Sequence, residues 1–223
     1  MHHVTVSNLA GREHVHVTVY GRAAASVGDE SRRAMEEALD LLQRAGAARE
    51  HLVRSRLFAR DGQTRRTASD MRLEVLAGAL RASSSSYIDP ARLPDGASMA
   101  IELVGQRGAP AAAKSVREYE PRIAPPMFVT LDGVAYLSGI TDVTDGFDAQ
   151  LANIRASVER SLAAAGGARI AHIAAHVSRK VNLDHAWGAI TRTFPAGVAM
   201  TLSQVDGYSA AEKLVEIETT ALA

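Results

Sequence analysis

Polar and apolar residues alternate in two segments near the start of the chain. Residues 2–6 and 14–20 put Val4 and Val6, then Val15, Val17 and Val19, on one face of each. A period of two predicts strands, and the join through Ser7, Asn8, Leu9, Ala10 and Gly11 predicts a hairpin. The period then lengthens. Between residues 29 and 45, Ala34, Ala38, Leu41, Leu42 and Ala45 recur at helical spacing, and Gly46 stands where a helix end favours a left-handed residue. Residues 51–60 read as a strand, 69–81 as a second helix carrying Leu73, Leu76 and Leu80, and 97–104 as a closing strand. The run Ser83 to Ser86 reads as a polar loop edge ahead of a strand-like Tyr87-Ile88, and Pro90 and Pro94 bracket a turn.

The pattern then starts again, more sharply. Residues 127–131 and 134–138 flank the turn pair Asp132-Gly133, a strong hairpin signal. Residues 147–165 are helical, with Leu151, Ile154, Val158 and Leu162 on one face and Gly166 at the cap. Residues 170–181 read as a strand. A second helix, opened by Asn182 or Asp184, carries the stripe Leu183, Trp187, Ile190 and Phe194, and 197–205 and 213–221 close the chain as strands. Aligning Gly46 with Gly166 pairs Val53 with Ile173 and Arg56 with His176 without a gap, while Val19-Tyr20-Gly21 meets Leu137-Ser138-Gly139. A repeat of this length predicts an α+β protein built from two copies of one β-β-α-β-α-β-β unit. The expected units are 1–106 and 127–223, joined by a Pro- and Gly-rich linker at 107–126.

Composition narrows the function classes. Units of about 100 residues can each bury a core. Twenty-five basic residues balance 25 acidic ones, which leaves no surplus for neutralising phosphates, so nucleic acid is not an expected partner. Absence of cysteine excludes disulfides, thiol catalysis and cysteine metal sites, and fits a cytoplasmic protein. No uncharged run is long enough to span a bilayer, and Met1-His2-His3-Val4 does not open a basic-then-apolar leader, so no membrane is expected. His2, His3, His14 and His16 lie close in sequence but have no acidic or cysteine partner at a diagnostic spacing. Neither a metal nor a cofactor is therefore expected.

The second half resembles the RidA/YjgF family of small trimeric enamine and imine hydrolases. The resemblance rests on Val134-Ala135-Tyr136-Leu137-Ser138-Gly139, on Ala149-Gln150 with Asn153-Ile154, and on Ala164-Ala165-Gly166. It continues through Phe194-Pro195-Ala196 and Val215-Glu216-Ile217-Glu218. The first half is similar more faintly, through Arg92-Leu93-Pro94 and Ile101-Glu102, and tandem arrangements of this unit also occur in the longer chorismatases. The resemblance implies units associated around a barrel in a trimer-like ring, a homo-oligomer with a trimer favoured, a small-molecule substrate, and sites between units. It also implies that Glu216 helps activate water, whereas the arginine of the family's Pro-x-Arg motif is absent: Gly197 and Ser85 stand at its two positions. Arginine-dependent imino-acid deamination is therefore not the expected reaction.

Strand alternation supplies other candidates. If Ile173, Ala175 and Val177 face the helices, then His172, His176, Ser178 and Lys180 share the opposite face, as Arg54 and Arg56 do in the first unit. Such a cationic lining suits a carboxylate or enolate, and His176 changes charge near neutral pH. The same residues also suit pairing with acidic groups of a neighbouring unit. The expected catalytic pair is Glu216 and His176, with Arg54, Arg56, His172, Ser178, Lys180, Ser138 and Gly139 binding substrate. The expected activity is hydrolysis or lyase/isomerase proton transfer on an enamine, imine or enol metabolite. The competing expectation is a non-catalytic metabolite- or partner-binding protein.

Overall fold

The computed structural model describes residues 1–223. Strands β1 (His2–Leu9) and β2 (Arg12–Tyr20) form the first hairpin, turning at Ala10 and Gly11, both at positive φ. Helix α1 (Val27–Arg44) follows, capped by the Ser26 side chain on the Asp29 N–H, and ends before Gly46 at φ +94°. Strand β3 (Leu52–Ala59), helix α2 (Gly62–Val75), strand β4 (Ser83–Ile88) and strand β5 (Met99–Gln106) complete the first unit. A short strand β6 (Ser115–Arg117) then leads into β7 (Phe128–Leu131), β8 (Val134–Leu137) and β9 (Ile140–Thr141). The second unit closes with α3 (Phe147–Ala164), β10 (Arg169–Ser178), α4 (Leu183–Thr193), β11 (Ala199–Val205) and β12 (Val215–Leu222).

The two sheets share one topology. The first runs β1-β2-β5-β3-β4, the second β7-β8-β12-β10-β11, with β6 added outside β7 and β9 paired to β12. Both parallel pairs, β3 with β4 and β10 with β11, are joined by a crossover helix. Each unit also carries the same pin from its first helix to its last strand. Glu30 of α1 accepts the Ser98 N–H at 2.8 Å, and Gln150 of α3 accepts the Leu214 N–H at 2.8 Å.

Each sheet buries one face against its own helices. Val15, Val17, Leu57, Ile101 and Leu103 pack with Met35, Ala38 and Leu42 of α1; Ile173, Ala175, Val177 and Ile217 pack with Leu151, Ile154 and Val158 of α3. The opposite faces meet each other, giving helix, sheet, sheet, helix layers. Two smaller apolar clusters bridge the sheets: Val53 and Val104 with Leu131, Val134 and Tyr136, and Phe58, Tyr87 and Ala100 with Val205 and Tyr208. At one edge, Ile88 at the end of β4 exchanges backbone hydrogen bonds with Gly207 beyond β11, at 2.8 and 3.0 Å.

Five elements differ from the periodicity reading. α2 begins at Gly62, capped by the Asp61 carboxylate on the Thr64 N–H, and stops at Val75; Leu80 belongs to a separate short turn. Its first two turns are almost wholly polar, so no apolar period announces them. Ser83 to Ser86 are strand, because β4 is held by β3 on one side and fills a polar environment between the sheets. In α4 the buried face is Ala186, Ala189 and Ile190, while Leu183 and Trp187 stay 45% exposed. Small alanines let that helix approach the sheet closely. Finally, bulges at Val53 and at Ala171 occupy the same place in β3 and β10. Val53 therefore matches Ala171 rather than Ile173, because the first unit spends an extra turn at Arg49–His51 before its strand. A slip of two leaves every side chain on the same face of its strand.

Candidate active site

A cavity of about 690 Å³ opens between the units and is lined by residues of both. Three elements build its polar floor. β12 contributes Glu216, α2 contributes Arg65, Ser69 and Arg72, and β4 contributes Ser84, Ser85 and Ser86. Residues 65, 69 and 72 are spaced i, i+4 and i+7, so α2 turns one polar stripe towards the cavity.

Glu216 is the most unusual group of this floor. It is 6% exposed, its Oε1 has no hydrogen-bond partner, and its carboxyl packs where the backbone of Gly139 leaves room. A Cβ at position 139 would come within 1.9 Å of that oxygen, so only glycine fits beside the carboxyl in this arrangement. Burial pushes the Glu216 pKa up to about 8, with the negative charge of Glu218 acting in the same direction. The Tyr87 hydroxyl, Lys213 and Arg72 oppose the shift without cancelling it. At neutral pH this carboxyl keeps its proton.

The cations around it are held by neutral groups. Arg72 is buried and donates to the Ser85 carbonyl at 2.6 Å and to Ser86 Oγ at 2.9 Å; burial brings its pKa down to about 10, still well above neutrality. Lys213 donates to Ser209 Oγ at 2.8 Å and Arg160 to Ser157 Oγ at 2.8 Å. Arg65 leaves its Nε without a partner. Beside these four, Asp70 is the only carboxylate other than Glu216 on the wall. With Glu216 protonated, the cavity carries a net positive charge suited to a small anion.

The sheet interface behind the floor is a closed ionic network. Glu218 accepts three hydrogen bonds from Arg56, at 2.7, 2.9 and 3.0 Å, one from Ser85 Oγ at 2.6 Å and one from the Tyr87 hydroxyl at 3.0 Å. Burial opposes its ionisation, but the charges of Arg56 and Arg54 outweigh that and hold its pKa well below the usual carboxylate range. Arg56 also pairs with Glu102. Arg54 donates to the Thr219 and Leu137 carbonyls at 3.0 and 3.2 Å. Two neighbouring carboxyls on one strand face thus have opposite states, Glu216 neutral and Glu218 charged.

The residues singled out from the sequence divide accordingly. Glu216 and Gly139 line the cavity together. Ser138 is buried beside it, its Oγ accepting the Ser84 N–H at 3.0 Å while Gly139 donates to the Ser84 carbonyl. Arg54 and Arg56 face the interface as alternation predicts, but they are committed to the second sheet. His176 lies off the cavity wall, stacked on Tyr87 at 4.2 Å and bonded through Nδ1 to Ser203; burial lowers its pKa to about 4. His172 faces the open end of the interface near Thr201, likewise lowered to about 4 by burial and then by Arg54. Ser178 is buried at the end of β10, and Lys180 reaches out to the Ala211 carbonyl. Sequence reasoning passed over Arg65, Arg72, Lys213 and the serines of β4. The i, i+4, i+7 stripe of α2 was the available signal, hidden by placing the helix start at Ser69.

No family model matches the chain, and no curated protein matches it. Among solved structures, it is similar to a chorismatase, with a TM-score of 0.69 and 15% identity over 98% of this chain and 77% of that one. Half of the chain, 50%, aligns with all of a YjgF/YER057c/UK114 family member from Mycobacterium tuberculosis, at TM-score 0.44 and 19% identity. The same share aligns with all of a Rid-family protein from Yersinia pestis, at TM-score 0.44 and 20% identity. The likeness to chorismatase extends over nearly the whole chain and establishes the tandem RidA-like, chorismatase-like fold. No helix is long and apolar enough to cross a membrane.

Proposed function

We propose that the cavity is the active site of an enzyme that hydrolyses a small carboxylate bearing an enol ether, enamine or imine, with Glu216 as the general acid. The observation that carries this reading is a buried carboxyl, one oxygen without a partner and packed against Gly139, on the floor of a cavity lined by Arg65, Arg72 and Lys213. Arg72 and Lys213 would hold the substrate carboxylate. Arg72 brings a guanidinium to within 2.6 Å of the backbone of Ser85, the position where the resemblance implies an arginine. A neighbouring helix thus supplies the group that the strand lacks. The chorismatase that shares the fold extends the reading to enol ethers such as chorismate.

The chemistry follows from the proton. Glu216 transfers it to the β-carbon of an enol ether or enamine, whose π pair forms the new C–H bond, leaving an oxocarbenium or iminium ion next to the carboxylate. An imine reaches the equivalent iminium by protonation at nitrogen. Water adds to the electrophilic carbon, and one of its protons returns to the Glu216 carboxylate. Collapse of the adduct expels alcohol or ammonia and leaves a 2-oxo acid. General acid catalysis of this kind contributes about 10²–10⁴-fold.

The test is a substrate panel read by product. Imino acids generated in situ are followed by ammonia release and chorismate by pyruvate release, for wild type, Glu216→Gln and Arg72→Met. The expected result is turnover of at least one compound, lost by about 10²-fold or more in Glu216→Gln. Compounds that bind and are returned unchanged, with Glu216→Gln binding them equally well, would replace this reading with a non-catalytic binding protein.

A further inference from the structure

The segment between β6 and β7 does more than connect the units. Its base is closed by the Met127 N–H on the Arg117 carbonyl at 2.8 Å, and β6 is paired with β7 in the second sheet. At the same point Arg81 of the first unit grips Glu118 with two hydrogen bonds, at 2.8 and 2.9 Å. The loop is therefore fastened to both units at its root. From there it lays Tyr119, Ile123, Ala124 and Pro125 along the cavity.

These side chains add apolar surface to a cavity otherwise lined mainly by polar groups. Glu216, Arg72 and Lys213 are its polar groups beside the reacting carboxyl, whereas Tyr119 and Ile123 from the loop, Leu73 from α2 and Ile140 from β9 are its large apolar ones. Ile123 is 49% exposed and Leu73 is 40% exposed, although both belong to the same cavity. Scattered exposed apolar residues are ordinary; large ones lining one concave site leave surface for a ligand to cover. Size points the same way. A cavity of about 690 Å³ falls in the range occupied by drug-sized ligands, far larger than a three-carbon imino acid requires.

We propose that this loop is a specificity-determining wall, and that it selects an anion carrying an apolar body, aryl or branched alkyl, on the side away from its carboxylate. The proposal rests on the reading of the cavity as the substrate site. In the bound pose the carboxylate lies at Arg72, the reacting carbon at Glu216, and the apolar body against Tyr119, Ile123 and Leu73.

The test compares binding of pyruvate and phenylpyruvate by calorimetry to wild type, Tyr119→Ala, Ile123→Ala and Arg72→Met. Wild type is expected to bind phenylpyruvate at least tenfold more tightly than pyruvate. Tyr119→Ala and Ile123→Ala should each reduce that preference about fivefold and leave pyruvate unchanged, whereas Arg72→Met should weaken both ligands. Equal affinity of wild type for the two compounds, no binding of phenylpyruvate, or equal weakening of both by the loop variants would overturn the proposal. The two readings fail separately. A preference that is lost in the loop variants, without turnover of any compound, upholds the wall and removes the catalytic reading. Turnover of small imino acids with no preference for the aryl compound does the reverse.

Discussion

Replacing Glu216 by glutamine should stabilise the protein, and by an amount that depends on pH. The carboxyl has a folded pKa of about 8 against an ordinary value of 4.5. Raised in this direction, it favours the folded state fully below the unfolded value, where both states hold the proton. Between about pH 4.5 and 8 the unfolded chain releases a proton that the folded chain retains, so stability falls steadily; above about 8 no further loss occurs. At roughly 1.4 kcal/mol per pH unit, the full span corresponds to about 4–5 kcal/mol. Glutamine has nearly the same shape and no such proton. Neighbouring Glu218, Tyr87, Arg72 and Lys213 are unchanged in the variant, so the difference between the two proteins isolates Glu216. Thermal unfolding at pH 5, 6.5 and 8 is the assay. At about 2–4 °C per kcal/mol for a chain of this size, the Tm advantage of Glu216→Gln should grow by on the order of 10 °C from pH 5 to 8. A constant difference across that range would refute the reasoning, because it would mean that Glu216 titrates alike in both states. The same proton sets activity: kcat/KM should be level below about pH 8 and decline above it.

Other outcomes follow from the geometry. Gly139→Ala should remove most activity while lowering Tm only slightly, because the new Cβ displaces the movable end of Glu216 rather than backbone; activity and unfolding of the same preparation check it. Arg56→Met should destabilise by about 3–5 kcal/mol in urea titration, since it strips a buried carboxylate of three hydrogen bonds; adding Glu218→Gln should restore part of the loss. Light scattering after size exclusion tests the trimer that the resemblance implies.

Much of the architecture was legible in residue order. The alternation of Val15, Val17 and Val19, the helical spacing from Ala34 to Leu42 and the turn pair Asp132-Gly133 are local signals, and each element formed where its period indicated. The repeat disclosed the shared topology, although the extra turn at Arg49–His51 displaced its residue pairing by two. Polar elements were harder to see. The first turns of α2 and the serines of β4 bury hydrogen-bonding groups rather than apolar surface, so periodicity was silent there.

The site separates into what one strand determines and what the packing of the units decides. Alternation alone put Glu216 and Glu218 on one face of β12, and Arg54 and Arg56 on one face of β3. It could not assign their charges. Glu218 meets Arg56 and becomes the ionised partner, whereas Glu216, two residues away, is buried against Gly139 and keeps its proton. Arg72 and Ile123 enter the same cavity from sequence positions more than 90 residues distant from Glu216. A carboxyl's state depends on the charges and solvent within a few ångströms, and only the tertiary structure brings those groups within that distance.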